Sequence, residues 1–199
     1  MGIQDPSIRT FATPILVAID IQREYTTAGR PFHLEGIEES LENCRRLRDH
    51  ARRNRWILAH VRHLQPGALF NPDSEYSRFV EGFEPRTGEP CFEKSKLSCL
   101  STDGFRRLMA GALEVKSPVY IMGYSGQMCC LSTLVDLFHT GLKANYVQDA
   151  SLSRGTSLAP PEGMHQYVKE VCSIYATLRS TDELIASSES AIAAPAGVQ

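Results

Sequence analysis

The chain has 199 residues, 42% of them hydrophobic, and a formal net charge of −2. That size suits one domain with a substantial core, and the near-neutral charge without a Lys/Arg run excludes a nucleic-acid footprint or an anionic-membrane anchor. The longest apolar runs fall far short of the ~20 residues that cross a bilayer.

The start, MGIQDPSIRTFATP, has no basic segment followed by an apolar one. A cytoplasmic protein acting on a small molecule, with no nucleic-acid or membrane partner, is therefore expected. After this polar arm (residues 1–13), Pro14 leads into ILVAID, a continuous apolar run ending in a carboxylate. Such runs are strands covered on both faces, and they place Asp20 at the carboxyl edge where open α/β sheets bind ligands. The alternative is that Asp20 only caps a turn.

Leu41, Cys44, Leu47 and Ala51, set among Arg and Glu, mark a surface helix over residues 38–54. A second buried strand, WILAHV, covers residues 56–61 and is followed by Arg62 and His63. Strand alternation sends His60 and His63 to opposite faces, so a shared metal ion is not expected, and Arg62 or His63 is left to face a site.

Residues 64–92 are punctuated by Pro and Gly and carry Phe70, Tyr76, Phe79 and Phe83. A connection this long is functional or disordered, and the aromatics argue against disorder. It is expected to form a pocket wall or a subunit contact, or else a satellite hydrophobic cluster. A helix then starts at Asp103, capped by Ser101 or Thr102, with Phe105, Leu108, Met109, Ala112 and Leu113 on one face.

Val119 to Met122 reads as the central strand, stopping at Gly123, and a helical pattern opens at Cys129 and closes before Gly141. A thiol at a helix mouth meets unpaired N–H groups and the positive dipole end, both of which favour thiolate. Residues 144–150 form another strand, and Pro160 and Pro161 open a helix with a buried stripe of Met164, Tyr167, Val168, Val171 and Tyr175. A short strand at 176–179 and a helix near 182–186 capped by Thr181 follow, and the tail 187–199 is expected to fray.

This alternation predicts a single three-layer αβα domain with a core at about 14–186, built on an about six-stranded, mostly parallel sheet with helices on both faces. No GxGxxG follows a strand and no GxxxxGK[ST] occurs, so no cofactor is expected. Most of the six cysteines read as reduced core residues, and a Cys129–Cys130 disulfide is disfavoured because neighbours at a helix start point about 100° apart.

Three separated segments resemble the isochorismatase-like cysteine hydrolases, a family that includes nicotinamidases, N-carbamoylsarcosine amidases and ureidoacrylate-type amidohydrolases. They are AIDIQREY with Asp20 and Gln22, KSKLSCL with Lys94, Ser98 and Cys99, and GYSGQMCCLST with Gly123, Cys129 and Thr133. The resemblance runs from about Pro14 to Ala186. It implies an Asp20, Lys94, Cys129 triad that cleaves a carbon–nitrogen bond of a small amide, ureido or carbamoyl compound through a thioester.

The same resemblance implies a cis Tyr124–Ser125 peptide that aims the Ser125 amide, with that of Cys129, at the oxyanion. It also suggests a dimer or tetramer. AHVRHLQ lacks the metal ligands of nicotinamidases, so no metal is expected. Gln22, Tyr25, Phe32, Arg62, His63, Phe70, Ser98 and Gly126 are the expected substrate contacts. Lys96 competes with Lys94 on proximity to Ser98 but not on spacing. Isochorismatase-type vinyl ether hydrolysis and a non-catalytic binding role remain the alternatives, and Cys129 counts against the former.

Overall fold

The computed structural model describes residues 12–193, which form six strands: β1 (Ile15–Ile19), β2 (Ile57–His63), β3 (Cys91–Lys94), β4 (Val119–Gly123), β5 (Asn145–Ser151) and β6 (Thr177–Arg179). All five pairings are parallel, in the order β3-β2-β1-β4-β5-β6. β1 is buried at every position, as a central strand covered on both faces must be. Of the expected arm and tail, residues 1–11 and 194–199 lie outside the described residues.

The six helices are α1 (Arg23–Thr26), α2 (Ile37–Arg53), α3 (Asp103–Glu114), α4 (Leu131–His139), α5 (Pro161–Tyr175) and α6 (Thr181–Ala193). Alternate β1 residues feed two cores. Leu16 and Ala18 pack with Leu41, Cys44, Leu47 and Leu184 of α2 and α6. Ile15, Val17 and Ile19 pack on the other face with Phe105, Met109, Leu134, Leu137, Val168 and Cys172 of α3, α4 and α5. Strand order reverses between β1 and β4, and the chain leaving their carboxyl ends turns to opposite faces of the sheet, which opens a crevice there.

Several local expectations are corrected. The edge strand β3 was not anticipated, because its four residues alternate exposed and covered and lack the apolar run of the inner strands. On α5, Tyr167 is 62% exposed, and the buried positions are Val168 and Cys172. Thr102 occupies the position before α3, but its hydroxyl donates to the Cys99 carbonyl rather than capping the helix.

The last helix does not fray at residue 187 but continues to Ala193. Its cap is a reciprocal Ser180/Glu183 box, not Thr181: the Glu183 N–H donates to Ser180 Oγ and the Ser180 N–H to Glu183 Oε2. Thr181 instead donates its N–H and hydroxyl to Asp149, which docks α6 onto β5. Among the described residues no helix is long and apolar enough to cross a membrane.

Candidate active site

Asp20 follows β1 directly and adopts φ +49°, a left-handed conformation that Asp tolerates better than most residues. Its N–H donates to the Val61 carbonyl. Beside it Gly123 ends β4 at φ +115°, where any Cβ would overlap the Ile19 carbonyl oxygen. Only glycine lets the two central strands stay this close at the switch point. The next peptide, Tyr124–Ser125, is cis, as the family resemblance implies.

A single π-helical turn, Gly126–Cys130, follows and runs into α4, so Cys129 sits in that turn, two residues ahead of where the regular helix begins. Thr133 ties this turn to the Lys94 segment. Its hydroxyl donates to the Cys129 carbonyl (2.7 Å) and accepts from the Cys99 N–H (3.1 Å).

β3 pairs Lys94 directly opposite His63 of β2. From there the ammonium uses all three of its donors: Asp20 Oδ2 at 2.7 Å, Cys129 Sγ at 3.2 Å and His63 Nδ1 at 3.2 Å. The side chains of Asp20 and Lys94 are fully buried. Asp20, His63 and Cys129 also offer ligand atoms within 4.8 Å of one another, but the fixed ammonium already supplies the positive charge among them.

Burial alone would lower the Lys94 pKa. The Asp20 carboxylate and the Cys129 sulfur outweigh it and raise the value. For Cys129 burial is the largest cause and raises the pKa. Asp20 raises it further, and Lys94 opposes. Burial and Asp20 thus favour the thiol, against the helix-mouth dipole and the Lys94 ammonium, at a residue only 3% exposed. Burial likewise pushes the Tyr25 phenol up, with Cys129 and Asp20 adding and the Ser125 backbone amide pulling the other way.

Cys129 opens into a cavity of about 80 Å³ lined also by Tyr25, Phe32, His63, Gln65, Phe70, Leu97 and Met128. A larger hollow of about 520 Å³ around Trp56 and Tyr120 lies at the opposite, amino edge of the sheet. Asp20 Oδ1 and Ser125 Oγ are buried with no hydrogen-bond partner among the described residues.

Of the expected substrate contacts, Tyr25, Phe32, His63 and Phe70 line the cavity, and four do not. Gln22 clamps backbone instead: its amide donates to the His63 and Ser77 carbonyls and accepts from the His63 N–H. Arg62 sits on the other face of β2 and pairs with Glu93 across the edge strand. Ser98 Oγ accepts from the Leu100 N–H and caps a 3₁₀ turn. The Gly126 N–H donates to the Leu152 carbonyl, and a Cβ there would run into Ser153 and Tyr146, so this glycine serves close packing against the chain after β5.

Gln65, Leu97 and Met128 were missed. A leucine between Lys96 and Ser98 and a methionine directly before Cys129 are the signals the sequence offers. The long 64–92 segment divides its aromatics. Phe70 builds the cavity wall with Tyr25 and Phe32, while Phe79 and Phe83 belong to the core beneath α2.

A family model described as the isochorismatase domain matches residues 14–183. A solved isochorismatase from Pseudomonas putida is 27% identical, with a TM-score of 0.73 over 86% of this chain and 91% of its own. An isochorismatase family protein from Desulfovibrio vulgaris (20% identity, TM-score 0.76, covering 89% and 99%) shares the fold. So does a cysteine hydrolase from Pseudomonas syringae (15% identity, TM-score 0.77, covering 96% and 97%). No curated protein matches. A parallel sheet with its crevice between β1 and β4, matched over residues 14–183, makes this chain a member of the isochorismatase family of hydrolases.

Proposed function

We propose that the protein is a cysteine-dependent hydrolase of the carbon–nitrogen bond in a small amide, ureido or carbamoyl compound, with Cys129 as nucleophile, Asp20 as general base and acid, and Lys94 holding both. The observation that carries this reading is the Lys94 ammonium, bonded at once to the carboxylate and to a sulfur that faces the cavity. Because burial and the Asp20 carboxylate both favour the Cys129 thiol, its activation is assigned to the reaction itself. The Asp20 carboxylate takes the thiol proton as sulfur attacks the carbonyl carbon.

The backbone N–H groups of Ser125 and Cys129, at the head of the π turn and α4, are the donors assigned to the oxyanion. One such donor typically contributes ~10²- to 10³-fold in rate. Protonated Asp20 then delivers its proton to the leaving nitrogen as the carbon–nitrogen bond breaks. Water, deprotonated by Asp20, attacks the thioester and releases the acid and the free thiol. Vinyl ether hydrolysis makes no use of such a nucleophile.

Ammonia release from a panel of small amides and carbamoyl compounds tests the reading. Cys129→Ala should abolish release with little change in the thermal melt. Turnover retained in that variant would rule out the mechanism.

A further inference from the structure

The hydrogen bonds of Lys94 propagate to the far wall of the cavity. An ammonium can only donate, so His63 Nδ1 at 3.2 Å must accept. The ring proton then sits on Nε2 and points at Gln65 Oε1, 3.0 Å away. With its oxygen engaged, Gln65 has only its NH₂ group to offer, and Nε2 has no hydrogen-bond partner among the described residues.

Both nitrogens of His63 are thus occupied, and Phe32, Phe70, Leu97 and Met128 contribute no charge. Among the described residues no Lys or Arg lines the cavity. The nearby Arg30 is held by Glu24 and the Ala68 carbonyl, and Arg154 lies over the Phe32 ring and donates to the Pro31 carbonyl. A carboxylate brought into this cavity would be desolvated without a free cation, because the Lys94 ammonium at its floor already has Asp20 as counter-charge and spends its three donors, and that is costly.

We propose that Gln65 is the specificity-determining residue of this pocket. Its NH₂ group, oriented through His63 by Lys94, selects a small uncharged substrate with a hydrogen-bond acceptor on the side away from the scissile bond. The inference rests on the amide-hydrolase reading for the scissile end only.

Two matched ligand pairs separate the donor from shape: 2-methoxyacetamide against butanamide, and 3-methoxypropanamide against pentanamide. Each pair exchanges one methylene for an ether oxygen. Dissociation constants measured by ligand-observed NMR in a Cys129→Ala background keep the readout independent of turnover. The ether member of at least one pair should bind about three- to tenfold tighter, the worth of one neutral hydrogen bond. Adding Gln65→Met, close in shape and without a donor, should bring that ratio within twofold and leave the alkyl amides unchanged.

Succinamate should bind more weakly than succinamide. Equal affinities in both pairs, or a preference that survives Gln65→Met, would overturn the role of Gln65. Succinamate binding as tightly as succinamide would overturn the uncharged class. Failure of the unmodified enzyme to release ammonia from any amide would sink the hydrolase reading while leaving these binding results standing.

Discussion

Replacing Lys94 with Met keeps the length of the side chain and removes its charge. Asp20, fully buried, then loses the one cation it pairs with among the described residues, and Cys129 and His63 each lose a donor. Breaking a buried pair from one side typically costs about 3–5 kcal/mol, because the remaining ion stays desolvated. For a chain of this size each kcal/mol moves the melting temperature by about 2–4 °C, so a fall of about 6–20 °C is expected. The double variant Asp20→Asn/Lys94→Met removes both charges, and Asn accepts the left-handed backbone at residue 20.

The double variant should regain most of the lost stability and no ammonia release. Urea unfolding of the three proteins at pH 7, with activity in parallel, checks both halves. If Lys94→Met proved as stable as the unmodified protein, the charge pair would not be a desolvated one and the electrostatic account of the site would fail.

Gly123→Ala forces a methyl group onto the Ile19 backbone in a conformation that alanine rarely adopts, so a loss of more than about 3 kcal/mol or of soluble protein is expected from thermal melts. Glu89 is lowered to about 2: burial pushes its pKa up, but Arg52, the Arg86 N–H and His60 overcome that. A depressed carboxyl pKa contributes stability above its ordinary 4.5 and loses it as pH falls towards 2. Glu89→Gln should therefore cost about 2–3 kcal/mol at pH 7, with the gap narrowing between pH 4.5 and 3 in urea titrations. Ser180→Ala removes one half of the α6 cap and should cost about 1 kcal/mol.

Much of the fold could be read along the chain because the inner strands announce themselves. β1 and β4 are apolar runs, and the segments between strands repeat at helical spacing. The positions of Asp20, Lys94 and Cys129 were legible as spacings within three motifs, although nothing local to any one of them says that they meet. β3 was illegible because an edge strand needs only one covered face and one partner.

Gln22 was misassigned for a related reason. Its amide makes three backbone bonds to residues 41 and 55 positions away, which no window of sequence displays. The upward push on the Cys129 pKa was equally hidden. The helix mouth is a local signal, whereas the burial and the Asp20 charge that oppose it come from distant elements. Gln65 carries no pattern of its own, and its orientation exists only through His63 and Lys94.

The short outermost strand carries more than its own four residues. Side chains along it alternate between the crevice and the exterior, so sliding it by one position against β2 would withdraw Lys94 and present Glu93 or Ser95 to Asp20. An acid facing an acid would empty the crevice of its positive charge without altering a single covalent bond. Arg62 and Glu93, paired directly across the two strands on the outside, favour the one alignment that avoids this. A solvent-facing ion pair of small energetic weight thereby acts as the index mark that decides which charge the interior receives.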